Sequence, residues 1–180
     1  MATSDQSPSA VPHDHPACLA VEELLKDCDV RRTRASGPGG QHRNKVETAI
    51  EITHRPTGVV ASASERRSQE QNRQVAVKRL RLALAVQHRT ARSDMVEPSA
   101  LWFSRCVASR IQCNDRHQDF AALMAEALNA VHAKVYDLRK AAASLGCSSS
   151  QLIRFLARTP DALNAVNRER QALGLGKLRG

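Results

Sequence analysis

The sequence predicts an α+β fold: a small domain with a β-hairpin-based sheet packed by helices, followed by an all-helical C-terminal region. Three observations carry that prediction. Residues 47–54 alternate with a period of two and lead through a Pro-Thr-Gly turn into Val59–Ser64, a basic run with helical spacing follows from Ser68, and beyond residue 98 the chain becomes alanine-rich with repeated helical periods. The expected divisions are a disordered tail over residues 1–16, a first domain over 17–90, a linker over 91–98 and a helical domain over 99–180.

Each element has its own signal. Ala17 to Lys26 has apolar residues at 17, 19, 21, 24 and 25, which predicts a short amphipathic helix against the sheet. Val30 to Arg34 reads as a strand with one basic face, on a thin apolar signal. In ETAIEITH, residues 47–54, Ala49, Glu51 and Thr53 alternate with Ile50 and Ile52, a half-buried strand. Arg55-Pro56-Thr57-Gly58 reads as a turn, with Pro56 fixing φ and Gly58 free to take φ > 0, and Val59 to Ser64 completes the hairpin. From Ser68, a candidate N-cap, apolar positions 76, 77, 80 and 84 recur at helical spacing, and Arg73, Gln74, Lys78 and Arg81 are expected on the opposite face.

In the second half, helices are expected over Ser99 to Arg110, Asp119 to Leu138, Lys140 to Leu145, Ser149 to Ala157 and Pro160 to Leu173. Thr159 offers a capping hydroxyl before Pro160, and Gly146 can end the helix before it. Ala142, Gly146 and Leu152 also have the spacing of a helix-turn-helix, in which Gln151, Arg154 and Arg158 are the candidate readers. Packing of two consecutive helices gives the same spacing, so both readings stand.

Composition narrows the partners. The longest apolar runs fall far short of the ~20 residues that span a bilayer, so no membrane partner is expected, and the N-terminus resembles neither a secretory signal nor a transit peptide. Five scattered cysteines fit reduced thiols in a cytoplasmic protein. His13, His15 and Cys18 lie close together but lack a second cluster at zinc-finger spacing, so no metal and no cofactor is expected. Net charge is +9, yet residues 31–92 alone hold 14 Lys/Arg against 4 Asp/Glu. That block points to a polyanion, with nucleic acid as the default. It contains no aromatic residue, which favours phosphate contact over base stacking.

Within the block, Gly37-Pro38-Gly39-Gly40 precedes the neutral Gln41. The pattern is neither a P-loop nor a dinucleotide fingerprint. Glycines at 39 and 40 open backbone angles closed to other residues and leave no side chain to block close approach, so the loop can enter a narrow site and present the Gln41 backbone N–H.

Gly39-Gly40-Gln41, with Ser36-Gly37-Pro38, His42, Asn44-Lys45, the turn at Thr57-Gly58, and Arg67-Ser68-Gln69 with Asn72, resembles the catalytic GGQ domain of class I peptide chain release factors, over about residues 28–87. The resemblance implies ribosome-dependent hydrolysis of the peptidyl-tRNA ester in the peptidyl transferase centre. It makes Gly39, Gly40 and Gln41 the catalytic residues, water the nucleophile, and the Gln41 N–H the stabiliser of charge developing on oxygen. It also implies the large ribosomal subunit and its rRNA as partner, peptidyl-tRNA as substrate, and a glutamine methyltransferase acting on Gln41. Ser36, His42, Arg43, Asn44 and Lys45 are the expected rRNA contacts in the loop, joined by Arg66, Arg67 and Arg73 beyond it.

Two departures qualify the resemblance. The family usually has a small aliphatic residue where Arg43 stands. The residues before the loop are too few for the stop-codon-reading regions of full-length factors, so the layout looks closer to short codon-independent rescue factors, with a helical extension in place of their basic tail. The alternative is a non-catalytic protein that holds RNA or ribosomes through the basic domain and docks a partner with its helices.

Overall fold

The computed structural model describes residues 15–33, 48–90 and 97–180. Three strands, β1 (Cys28–Thr33), β2 (Ala49–His54) and β3 (Val60–Ala63), form an antiparallel meander in the order β1-β2-β3. The alternation in β2 has the expected consequence: Ile50 and Ile52 are buried, and Glu51 and Thr53 face outward half-exposed. β1 is an edge strand with only Cys28 buried, which explains its thin apolar signal. The turn between β2 and β3 places Gly58 at φ +69° with open space around its α-carbon, so backbone angle alone demands glycine there.

Helix α1 (Val21–Lys26) is shorter than the expected 17–26. Pro16–Cys18 instead forms a 3-10 turn capped by His15, and the Arg81 guanidinium takes the Ala17 carbonyl at 2.9 and 3.1 Å. That carbonyl is thereby withdrawn from helical bonding. Helix α2 (Gln69–Gln87) starts at Ser68, whose hydroxyl accepts from Gln71 N–H. Its buried stripe of Ala76, Val77, Leu80 and Leu84 covers β2 and β3, and its flank packs on a helix of the second half.

That second half comprises α3 (Ala100–Arg105), a short hairpin of β4 (Cys106–Val107) and β5 (Arg110–Ile111), α4 (Phe120–Ala133), α5 (Leu138–Ser144), α6 (Ser149–Ala157) and α7 (Pro160–Ala172). Two expected helices end early. The 99–110 helix stops at Arg105, because Ala108 and Ser109 take φ +48° and +61° as the two-residue turn of the hairpin. The 119–138 helix stops at Ala133, where Val135 and Tyr136 take φ +51° and +59° and the Asp137 carboxylate caps α5 by accepting from Arg139 and Lys140 N–H. Thr159 precedes Pro160 as expected, but its side chain makes no capping bond.

One apolar core runs from Ala17 to Val166. Trp102 lies fully buried inside it, its indole N–H donating to the Leu145 carbonyl at 2.7 Å and its ring edge-on to Phe155. The Cys147 thiol is pushed up to about 12 by burial, so it packs as a small protonated group. Among the described residues no helix is long and apolar enough to cross a membrane.

His54 supplies a test of packing against pH. It is buried, its Nδ1 lies 2.7 Å from Thr57 Oγ1, and burial holds its pKa below the ordinary 6.5. The unfolded chain therefore binds a proton that the folded chain resists, so stability is full above pH ~6.5 and falls on acidification below it. Urea unfolding across that range should show a falling midpoint in the parent chain and a flatter profile in His54→Gln; identical slopes would rule His54 out as the source.

Candidate functional site

Residues 34–47, which include Ser36, Gly39, Gly40, Gln41, His42, Arg43, Asn44 and Lys45, lie outside the described residues. The structure defines the platform on either side of them. Thr33, the last residue of β1, stands directly opposite Ala49, the first of β2. Ala63, the last of β3, stands opposite Ile50. The end of β1, the start of β2, the end of β3 and the start of α2 therefore share one end of the sheet.

At that end Asn72 joins three pieces of backbone. Its side chain is fully buried; Nδ2 donates to Thr48 O at 2.6 Å and to Arg66 O at 3.0 Å, while Oδ1 accepts from Arg66 N–H at 2.9 Å. Only a carboxamide offers two donors and an acceptor in so small a group. The result fixes where the chain re-enters the sheet at Thr48 and how residues 65–68 bend into α2. A sequence signal for this existed: positions 72, 76, 80 and 84 lie on one helical stripe, so Asn72 is a polar residue placed where the core face continues.

Three of the expected RNA contacts fall on this end. Arg66 and Arg67 are exposed in the bend whose backbone Asn72 holds, and Arg73 is exposed one residue beyond Asn72. Arg31 and Arg32, not singled out from the sequence as contacts, are exposed on the neighbouring edge strand, and Arg32 is paired with Ile50 near the same end. Their adjacency on a strand with one basic face was the available clue.

Other arginines of the basic block are committed to structure. Arg81, expected on the outward face of α2, is instead half-buried and donates to the carbonyls of Ala17 and Gln118; burial lowers its pKa. Arg79 pairs with Glu65 at 2.6 Å and donates to Ser62 O, tying α2 to the strand it covers. Glu65 also accepts from Ser64 N–H, and these backbone contacts, chiefly, hold its carboxyl below the usual range. Arg89 donates to the carbonyls of Ala85, Val86 and His88 at the end of α2.

Arg73 and Lys78 remain exposed and line a groove of about 980 Å³ whose other wall carries Arg116 and His117. What the described surface offers beside the loop base is exposed positive charge from Arg32, Arg66, Arg67 and Arg73, while Glu22, Glu70 and Asp115 also line the groove. His15 accepts from Ala17 N–H and lies 3.2 Å from the His88 carbonyl, so its ring is engaged in local structure.

The family described as RF-1 domain matches residues 20–119. Peptide chain release factor 1 of Caldicellulosiruptor saccharolyticus is 42% identical over 79 residues, covering 44% of this chain and 22% of that protein. Peptide chain release factor 2 of Staphylococcus haemolyticus is 44% identical over 82 residues, covering 46% of this chain and 22% of the relative. For peptide chain release factor 2 of Thermotoga maritima the values are 51% over 64 residues, 36% and 17%. The chain thus spans about a fifth of the length of the curated relatives it matches.

Removing the Asn72 amide strands buried backbone groups on both sides of the loop base. Asn72→Ala is expected to lower stability by about 2–3 kcal/mol, read as a shifted urea midpoint, with faster amide exchange at Arg66. Arg73→Ala, one residue away and exposed, should stay within about 0.5 kcal/mol of the parent. Equal effects of the two changes would refute the clamp.

Proposed function

The chain belongs to the RF-1 domain family, and on that premise we propose that it hydrolyses the peptidyl-tRNA ester in the peptidyl transferase centre of the large ribosomal subunit, releasing nascent chains from stalled ribosomes without reading a stop codon. The observation that carries this reading is Gly39-Gly40-Gln41 in a connection whose ends are held by the β1–β2 register and by Asn72. A protein that merely bound RNA would have no use for a glutamine at that point. Codon independence is the finer part of the proposal: the family likeness, which extends over about a fifth of each relative, bears on peptide release alone.

In the proposed reaction, water oxygen attacks the ester carbonyl carbon, the bond to the tRNA 3′ ribose oxygen breaks, and the proton lost by water ends on that leaving oxygen. The Gln41 backbone N–H stabilises the oxygen that gains charge, and its side chain positions water while excluding larger nucleophiles. Neither task requires a shifted pKa, so a neutral residue suffices. Gly39 and Gly40 aim the N–H. Arg66, Arg67 and Arg73 on the described surface, with Ser36, His42, Arg43, Asn44 and Lys45 in the loop, contact rRNA. Gln41 is also the acceptor for a glutamine methyltransferase, which a single-methyl mass increase on its peptide would reveal.

The test is a release assay on ribosomes carrying no codon, a sense codon or a stop codon in the A site. Equal release on all three supports rescue, and strict dependence on a stop codon overturns it. Gly39→Ala with Gly40→Ala, which re-aims the N–H, should slow release about 10²-fold or more. Gln41→Ala keeps the N–H and should lose less, while admitting hydroxylamine as a competing nucleophile. Undiminished release by both variants would leave the non-catalytic binding protein as the surviving reading.

A further inference from the structure

The α5–turn–α6 unit satisfies the packing pattern of a helix-turn-helix throughout. Ala141, Ala142, Leu145, Cys147, Leu152 and Phe155 all face inward, none more than 9% exposed. Gly146 takes φ +65° in the turn, and Cys147 N–H donates to Ala142 O at 3.0 Å, closing α5. The turn is held from behind by the Trp102 indole on the Leu145 carbonyl.

The outward side has one sign of charge. Between Asp137 and Asp161 the chain carries four Arg/Lys and no Asp or Glu. Arg158 is withdrawn from the set of candidate readers: it donates to the Cys113 carbonyl, lies 3.7 Å from Asp115 and sits over the Phe120 ring. Arg139, Lys140 and Arg154 stay exposed; Lys140 lies 3.8 Å from the Asp137 carboxylate at the start of α5, whereas Arg154 has no ion-pair partner among the described residues. Ser150 lies one turn before Arg154 on the same face of α6, and half-exposed Gln151 follows it. Residues 99–180 as a whole hold twelve Lys/Arg against six Asp/Glu, so the helical half is itself net positive.

We propose that α5 and α6 form a second nucleic-acid contact that docks double-helical ribosomal RNA. This rests on the ribosomal reading of the GGQ segment, which makes RNA the duplex within reach. Hydroxyl and amide groups on α6 suit the 2′-hydroxyls of the wide, shallow A-form minor groove, and the three cations suit the flanking phosphates. Neither helix exposes an aromatic ring, which removes base stacking on single strands as the mode. With only Gln151 and Arg154 left as readers on α6, recognition is chiefly of shape and backbone.

Fluorescence anisotropy of the full chain with an RNA hairpin of about 16 base pairs, a DNA duplex of the same sequence and a single strand tests this across salt. Arg139→Glu with Arg154→Glu should weaken RNA-duplex binding about tenfold more than Arg168→Glu with Arg179→Glu, which changes net charge equally, and should lower the salt slope by roughly 1–2. Unchanged thermal unfolding verifies that both pairs are folded. Equal weakening by the two pairs overturns the proposal in favour of diffuse charge, and tighter binding to DNA overturns the RNA assignment. Failure of the catalytic reading is separable: it appears as absent peptide release with duplex binding intact, whereas failure here leaves release by the parent chain untouched.

Discussion

Asn72 sets one carboxamide between three segments that the sequence holds apart: the re-entry of the chain at Thr48, the bend at Arg66 and the first turn of α2. Asparagine is a mediocre helix former, costing about 0.6 kcal/mol against alanine. A buried amide without partners would cost several times that. The position is tolerable only because every bond is made, so the clamp forms as a unit with the register of β2 and the start of α2. The ends of the 34–47 connection owe their placement to that coupling. Thr33 is placed by the ladder with Ala49, and Thr48 by the amide.

The same end of the sheet carries the cations that remain available. Elsewhere in the basic block the guanidinium groups bond backbone carbonyls: Arg55 on Lys26 and Cys28, Arg79 on Ser62, Arg81 on Ala17 and Gln118, Arg89 on the last turn of α2. Arginine suits this task because its planar fork offers five donors and its charge survives partial burial. Net charge thus overstates the phosphate-binding surface and misplaces it. Once the structural arginines are set aside, the exposed ones among the described residues gather at the loop base and along the outer edge of α2.

The period-two and period-3.6 signals located β2, β3, α2, α6 and α7 because each buries one regular face, and local sequence suffices for that. Element ends were less legible. α1 is cut short by Arg81, 64 residues away at Ala17, and the left-handed Val135 and Tyr136 sit where Arg170 donates to the Tyr136 carbonyl. No local window contains such partners. Gly39-Gly40-Gln41 was readable as a motif because its three residues are contiguous in the chain. The clamp at the start of β2 depends on a contact between Asn72 and Thr48, 24 positions apart, and showed in the sequence only as a polar residue on an apolar stripe.

α2 relates the two halves of the molecule. Its buried stripe covers the sheet and holds Asn72 under the loop base, while its flank packs on α4 and its Arg81 reaches the segment before α4 through Gln118. α4 in turn receives Ser99, whose N–H and hydroxyl both donate to Glu126, and Ser99 caps the helix that carries Trp102 to the α5–α6 turn. The joints at Glu126, Ser99 and Leu145 are buried or part-buried hydrogen bonds, so each loses more when broken than it gains when made. A chain joined in this way keeps the loop base and the α5–α6 face at a fixed separation. For the proposed reaction, in which a neutral glutamine acts by placement alone, constancy of distance between the loop base and the α5–α6 face is the property the fold must supply.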